Sequence, residues 1–230
     1  MERLSRSQVI QLANKTGDIS GYDLSGLNLS ILDLIGVQFK GCNLQGINLS
    51  KSNLSMSNFE EADLSNSDMS SSNFTGVIFR KANIEHSDLT FSGFAGADFT
   101  GANLKKANFT NSKLSGATFK NADLSEANLQ MTDAVLINLV DARLHKTNCY
   151  ASSMIGADLS GADLRGATLH GTDLSGANLF SANLSETRIL ETIFVAANLT
   201  NADLRGSVIS GIEITRAKLK GVKLDEGKSL

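Results

Sequence analysis

Every fifth residue of the chain is apolar from Ile19 to Leu224, and no insertion or deletion breaks the register. The series has 42 members when Ala134 and Cys149 are counted as apolar. Because a helix repeats about every 3.6 residues and a flat strand every 2, neither keeps such a column on one side. The period instead predicts a coil of four short segments, one pentapeptide to a side, with successive coils stacked about 4.8 Å apart.

Two further columns repeat with the same period. The residue two positions before each central residue is small or, less often, aliphatic, and we expect it to point inward with the central residue. The residue one position before is Asp or Asn in 28 of the 42 repeats. These short side chains are expected to bond nearby backbone at the corners of the coil. The consensus is Ala-(Asp/Asn)-Leu-X-X, as the segment 157–164 shows.

This consensus resembles that of the pentapeptide-repeat protein family, whose fold is a right-handed quadrilateral parallel β-helix. The resemblance covers residues 17–224 and implies an all-β solenoid of about 42 repeats in 10.5 coils. It also implies that central residues twenty positions apart stack directly, so that five rings from Phe39 to Phe119 form a ladder. The predicted organisation is an N-terminal capping helix in residues 1–16, the β-helix in residues 17–224 and a C-terminal tail in residues 225–230.

The two ends of the repeat region differ. Residues 4–14 fit a short amphipathic helix with Ser5 or Ser7 as its N-cap, and Val9, Ile10 and Leu12 would cover the first coil. The last coil is rich in aliphatic residues, and the pattern shows no capping helix beyond it. A homodimer through the C-terminal coil is therefore one hypothesis for the assembly of this protein.

Composition and charge narrow the classes of function. The net charge of −3 argues against direct nucleic-acid binding, which needs a basic surface. The apolar runs are too short for a transmembrane helix, and we expect no membrane association. Two cysteines are too few for a disulfide framework in a chain of 230 residues. We therefore predict a cytoplasmic protein.

The candidate chemistry is sparse. Of the 24 acidic residues, 13 are aspartates in the column before the central residue, where the repeat itself accounts for them. His86, His145 and His170 lie on different coils and lack matching ligands for a zinc site. Cys42 and Cys149 lie more than five coils apart and are expected to be buried packing thiols. We predict no catalytic residues, no cofactor and no bound metal, and hence no enzymatic activity.

One surface feature exceeds the background of the repeat. Several apolar residues occupy columns that should face water, and an exposed apolar patch on a polar solenoid is a candidate contact surface. Scattered surface apolar residues are also ordinary, so a partner surface and an incidental cluster both remain open. The candidate partner surface consists of Val135, Leu136, Val140, Tyr150, Ile155, Phe180, Leu190 and Val195.

A second surface feature is the distribution of charge along the chain. Residues 18–74 and 116–204 each sum to −5, whereas residues 205–230 sum to +3. Acidic bands on a rod of duplex proportions would imitate DNA, with Asp158, Asp163 and Asp173 as candidate mimic residues. The simpler interpretation is that mild acidity keeps a repetitive rod in solution.

Two hypotheses for the function follow. The first is a non-catalytic rod that acts as a macromolecular binding scaffold for an unknown protein partner. The second comes from the resemblance, because some family members imitate B-DNA and modulate or protect bacterial DNA gyrase, conferring fluoroquinolone resistance or toxin immunity. The modest net charge and the basic stretch from residue 205 onward speak against the second hypothesis.

Overall fold

The computed structural model describes all 230 residues and shows a right-handed quadrilateral β-helix. Every backbone bridge joins residues twenty positions apart, as Asn43 pairs with Asp63 and Asp158 with Asn178. One coil therefore takes four pentapeptides, and the predicted fold class is confirmed. We number the sides by their central residues. Side 1 contains residues 19, 39 and every twentieth residue onward, and sides 2, 3 and 4 begin at residues 24, 29 and 34.

Regular secondary structure is confined to one helix and two short strands. Helix α1 spans Arg6–Thr16, strand β1 spans Arg188–Leu190 and strand β2 spans Val208–Ser210. The two strands pair in parallel with Ile189 opposite Ile209. All other rungs are single bridges at the residue before the central one, because a turn follows each central residue.

Helix α1 begins with a capping box, in which the Ser5 side chain accepts from the Gln8 N–H and the Gln8 side chain accepts from the Ser5 N–H. Gly17 ends the helix in the left-handed region, with φ at 68°. Leu4 and Val9 are 4% and 0% exposed and belong to the same apolar cluster as the central residues, so this segment covers the first coil. The predicted capping helix is thus confirmed, with Ser5 as its N-cap.

The interior is one continuous apolar column. Every central residue from Ile19 to Leu204 is at most 3% exposed. On side 1 the rings from Phe39 to Phe119 stack, with successive centroids 4.6, 5.2, 4.8 and 4.5 Å apart. Phe74 and Phe94 stack on side 4 at 5.1 Å and contact this ladder from the neighbouring side. The predicted phenylalanine ladder is confirmed.

Side 4 also contains a buried column of hydroxyl groups two positions before its central residues. The Ser72 hydroxyl accepts from the Ser52 N–H at 3.1 Å and donates to the Leu49 carbonyl at 2.8 Å. One hydroxyl thus bridges the two backbone groups that would otherwise close the turn of the preceding coil. The column comprises Ser52, Ser72, Ser92, Ser112, Thr132, Ser152, Thr172 and Thr192.

Candidate interaction surface

Four edges run along the rod, one at each place where a side turns into the next. The second residue after the central one has positive φ at all 41 turns from residue 21 to residue 221, with values from 51° to 76°. This is the left-handed region that the third residue of a type II turn adopts. Only 17 of these turn residues are glycine, and the other 24 have a Cβ. A Cβ in this region costs about 1–2 kcal/mol.

The identity of these 24 residues depends on the edge. The edges between sides 1 and 2 and between sides 2 and 3 hold twelve of them, and none is apolar. The edges between sides 3 and 4 and between sides 4 and 1 hold the other twelve, of which seven are apolar. We call the first two edges the charged edges and the last two, which flank side 4, the apolar edges. The seven residues are Ile31, Met56, Phe91, Met131, Leu136, Ala151 and Ala196.

Charge follows the same division. Counting both outward turn residues, the charged edges carry 16 Lys, Arg, Asp or Glu residues, whereas the apolar edges carry Lys51, Glu191 and Arg216. Of the eleven large hydrophobic side chains that are exposed, eight stand on the apolar edges. The eight are Ile31, Ile35, Met56, Phe91, Met131, Leu136, Tyr150 and Ile155.

The structure brings together most of the sequence-based candidate surface. Four of its residues share the edge between sides 4 and 1, and two lie across side 4 on the other apolar edge. Val140 and Phe180 lie apart from these, on the charged edge between sides 1 and 2. Sorting the outward residues into columns of twenty would have found the five exposed residues that sequence analysis missed, which are Ile31, Ile35, Met56, Phe91 and Met131.

The three candidate DNA-mimic residues point to three different sides. Asp158 lies on side 1, Asp163 on side 2 and Asp173 on side 4. Arg165 donates to Asp163 at 2.6 and 2.8 Å, and this hydrogen bond lowers the pKa of the carboxyl although partial burial opposes the shift. Two charges on neighbouring residues thus largely cancel there.

The nucleophilic and metal-binding residue types are dispersed. Burial raises the pKa of the Cys149 thiol to about 12, and the Cys42 thiol donates to the Ile19 carbonyl at 2.9 Å. Both thiols are buried, as predicted. The structure contains no group of three His, Cys, Asp or Glu side chains placed to bind a metal ion. No helix has the length and apolar character that a membrane span requires.

Family models match almost the whole repeat region. A model described as pentapeptide repeats matches residues 92–130, 122–161, 137–179, 157–189 and 177–221, and one described as a pentapeptide repeat region matches residues 21–89. This chain belongs to the pentapeptide-repeat family. Among curated proteins, none matches it significantly.

Solved structures of other pentapeptide-repeat proteins are similar to this one. HetL of the cyanobacterium Nostoc sp. strain PCC 7120, a protein involved in heterocyst differentiation regulation, is 25% identical with a TM-score of 0.42, over 99% of this chain and 100% of HetL. QnrB1, a plasmid-mediated fluoroquinolone resistance protein, is 22% identical with a TM-score of 0.44, over 86% of this chain and 94% of QnrB1. A protein of the Arabidopsis thaliana thylakoid lumen is 31% identical with a TM-score of 0.36, over 50% of this chain and 66% of its own.

Proposed function

We propose that this pentapeptide-repeat protein is a non-catalytic, rod-shaped scaffold that binds another macromolecule through its apolar edges. The observation that carries the proposal is the division of the left-handed turn residues. At one backbone position, with φ in the left-handed region throughout, the apolar edges hold seven apolar side chains and the charged edges hold none. The repeat geometry is the same at all four edges and so does not account for the difference.

Leu136 illustrates why these side chains support a contact. Its side chain is 67% exposed and its φ is 58°. The left-handed backbone conformation therefore costs conformational free energy at this residue, while most of its apolar surface stays in water. Burying that surface against a partner would stabilise the complex by about 25 cal/mol for each Å² of apolar surface. Glycine, which occupies 17 of the 41 turns, would avoid the strain.

The edge between sides 4 and 1 indicates the chemistry of the occupant. Its eighteen outward turn positions from Ile35 to Ala196 carry no charge, and its polar members are Ser55, Thr75, Ser115 and Ser175. Eight coil steps make this strip about 38 Å long. A nucleic acid needs basic residues along its phosphates, so the fitting occupant is an uncharged protein surface. The predicted compartment for this contact is the cytoplasm.

The test uses a photoreactive amino acid placed at single positions of the full chain in cells. A probe at Leu136 stands on an apolar edge, and a probe at Phe180, which is 44% exposed, is the matched control on a charged edge. We expect a discrete covalent adduct from position 136 and none from position 180. Equal labelling at both positions, or no adduct at position 136, would contradict the proposal.

A second candidate function is supported by the acidic residues between 116 and 204. Six of the ten carboxylates in this stretch have no ion pair, which leaves the net charge of −5 largely unneutralised. A rod that presents these carboxylates in place of the phosphates of DNA would occupy the DNA site of bacterial DNA gyrase. The six are Glu126, Asp133, Asp141, Asp158, Asp173 and Glu186.

This candidate is tested by a gyrase supercoiling assay with titrated protein, with and without a fluoroquinolone. Inhibition of supercoiling, or rescue from drug-stabilised cleavage, would support it. Reversal of Asp158 to Lys should then weaken the effect more than reversal of Asp163, whose charge Arg165 already offsets. No effect at high protein concentration would exclude gyrase as the partner.

A further inference from the structure

The apolar edges and the outward residues of side 4 between them form one continuous face, which we call the side-4 face. We propose that this face binds a second copy of the chain, with the two rods antiparallel about a two-fold axis between the coils of Lys113 and Asp133. The inference rests on the proposed function, because it names the partner of the same apolar edges. Each copy presents the same patch to the other, as an isologous dimer requires.

The regular coil spacing determines which residues meet. A two-fold axis that lies in the contact plane, across the rods, places each edge against the same edge of the other copy and reverses the order of the coils. Because all bridges join residues twenty apart, the coils of the two copies stay in step along the face. The coil of Lys113 then faces that of Asp133, and each coil farther out on one copy faces the equivalent coil on the opposite side of the axis.

Charges along the centre of the face select this register. Lys113 of each copy lies opposite Asp133 of the other, which gives two reciprocal pairs close to the axis. Moving the axis by half a coil in one direction places Lys113 opposite Lys113 of the other copy, and moving it in the other direction places Asp133 opposite Asp133. If the two rods were parallel, every charged residue along the centre of the face would lie opposite the same residue of the other copy. The one like-charged pair in the proposed register, Asp33 with Glu213, falls at the far ends.

Side-chain sizes along the edge between sides 4 and 1 are complementary in the same register. Leu136 of one copy lies opposite Gly116 of the other, and Ile155 lies opposite Ala95. In the single chain Leu136 and Ile155 are 67% and 41% exposed, and a Cβ at Gly116 would meet no atom within 4 Å. Leu136 therefore faces an open site on the other copy, and Ile155 faces a small side chain.

The edge between sides 3 and 4 shows the same agreement. Phe91, which is 65% exposed, lies opposite Ala151, and Lys51 lies opposite Glu191. Lys51 and Glu191 are the only Lys, Arg, Asp or Glu residues at the outward turn positions of this edge, and the proposed register sets them against each other. The opposite charges on this edge and the large-to-small contacts on both edges thus coincide with a single choice of axis.

The face is large enough for a specific but weak contact. Ten coils at about 4.8 Å give a length of about 48 Å, and a flat side of three residues is about 10 Å wide. With its two edges, such a face removes on the order of 1,000 Å² of surface from water when both copies are counted, the low end for specific interfaces. We therefore expect a dimer that forms at micromolar concentrations.

The test is sedimentation of the purified full chain between about 1 and 100 μM, with small-angle X-ray scattering at the highest concentration. We expect a dimer whose maximum dimension is close to that of one rod. An end-to-end dimer through the C-terminal coil would instead nearly double the length, and that result would overturn the proposal.

Charge-swap variants test the register. Lys113→Asp sets a carboxylate at position 113 of one copy against Asp133 of the other, and Asp133→Lys sets two ammonium groups against each other. Each single variant should weaken the dimer about tenfold or more. The double variant K113D/D133K restores opposite charges and should recover most of the affinity. A dimer that ignores the single variants, or a double variant that stays monomeric while retaining its far-ultraviolet circular dichroism, would overturn the proposal.

The outcome is separable from that of the proposed function. A chain that sediments as a monomer at the highest concentration but forms an adduct with a different protein at position 136 overturns the dimer and leaves the scaffold proposal intact. No adduct of any mass at that position contradicts both.

Discussion

Leu136 lies over Gly156 of the next coil, so that a Cβ on Gly156 would come within 2.9 Å of Leu136 Cδ2. The left-handed turn residue directs its side chain along the rod, toward the turn of the following coil. Met56 lies over Gly76 in the same way, with a Cβ there 2.8 Å from its sulfur. Large exposed side chains on this edge are thus accommodated by glycine one coil further on.

The first prediction concerns this contact. Gly156→Ala should destabilise the protein more than Gly176→Ala, although both glycines have φ of 66°. In both variants a Cβ at positive φ costs about 1–2 kcal/mol, but the added Cβ at Gly176 meets nothing within 4 Å. The measurement is the free energy of unfolding in guanidinium. In a chain that also has Leu136→Ala, Gly156→Ala should lower the free energy of unfolding only as much as Gly176→Ala does. A larger loss there would show that the contact with Leu136 does not cause the difference.

The second prediction concerns the phenylalanine ladder. Phe79 is fully buried and stacks between Phe59 at 5.2 Å and Phe99 at 4.8 Å. Phe79→Ala should lower the free energy of unfolding by about 3–5 kcal/mol, because it opens a cavity in a column that cannot collapse inward. Phe91→Ala is the matched control, since Phe91 is 65% exposed. It should change the stability of the monomer by less than about 0.5 kcal/mol. Similar losses for both variants would refute this account of the core.

The third prediction concerns the hydroxyl column. Ser72→Ala should destabilise by about 1–3 kcal/mol, because it leaves the buried Ser52 N–H and Leu49 carbonyl without the bridging hydroxyl. Ser72→Thr should be tolerated better, since Thr172 and Thr192 donate to the corresponding carbonyls of the coil before them. Ser175→Ala, on the outer surface, is the control and should be nearly neutral. A neutral Ser72→Ala would mean that the turn closes its own hydrogen bond at no cost.

The fourth prediction concerns pH. The Arg165 side chain lowers the pKa of Asp163, so the pair stabilises the fold above the unfolded pKa of about 3.9. This contribution is lost as pH falls through the lower folded pKa. Arg165→Ala should therefore reduce the urea midpoint at neutral pH, and its difference from the wild type should shrink below about pH 4. Lys120→Ala, which removes an exposed lysine without an ion pair, should show no such trend. A difference that stays constant with pH would contradict the assignment.

The five-residue period was enough to predict the coil and the inward columns, and the resemblance to the pentapeptide-repeat family added the stacking of central residues twenty positions apart in a phenylalanine ladder. The hydrogen bonds of the Asp and Asn column were also predictable, as the Asp18 carboxylate accepts from the Ser20 N–H at 2.9 Å. The hydroxyl column on side 4 was less evident. A small residue was expected there for reasons of space, whereas Ser72 also satisfies backbone groups of the preceding coil.

What the sequence by itself determined is everything that repeats every five residues, because that period states which side chains enter the interior. What only the tertiary structure decided is which outward residues share an edge of the rod. Met131 and Leu136 are five residues apart in sequence, yet they stand on opposite edges of side 4, while Leu136 and Ile155 are neighbours on one edge. The surface is assembled by the stacking of coils, so its apolar edges appear only when each residue is placed above the one twenty positions earlier.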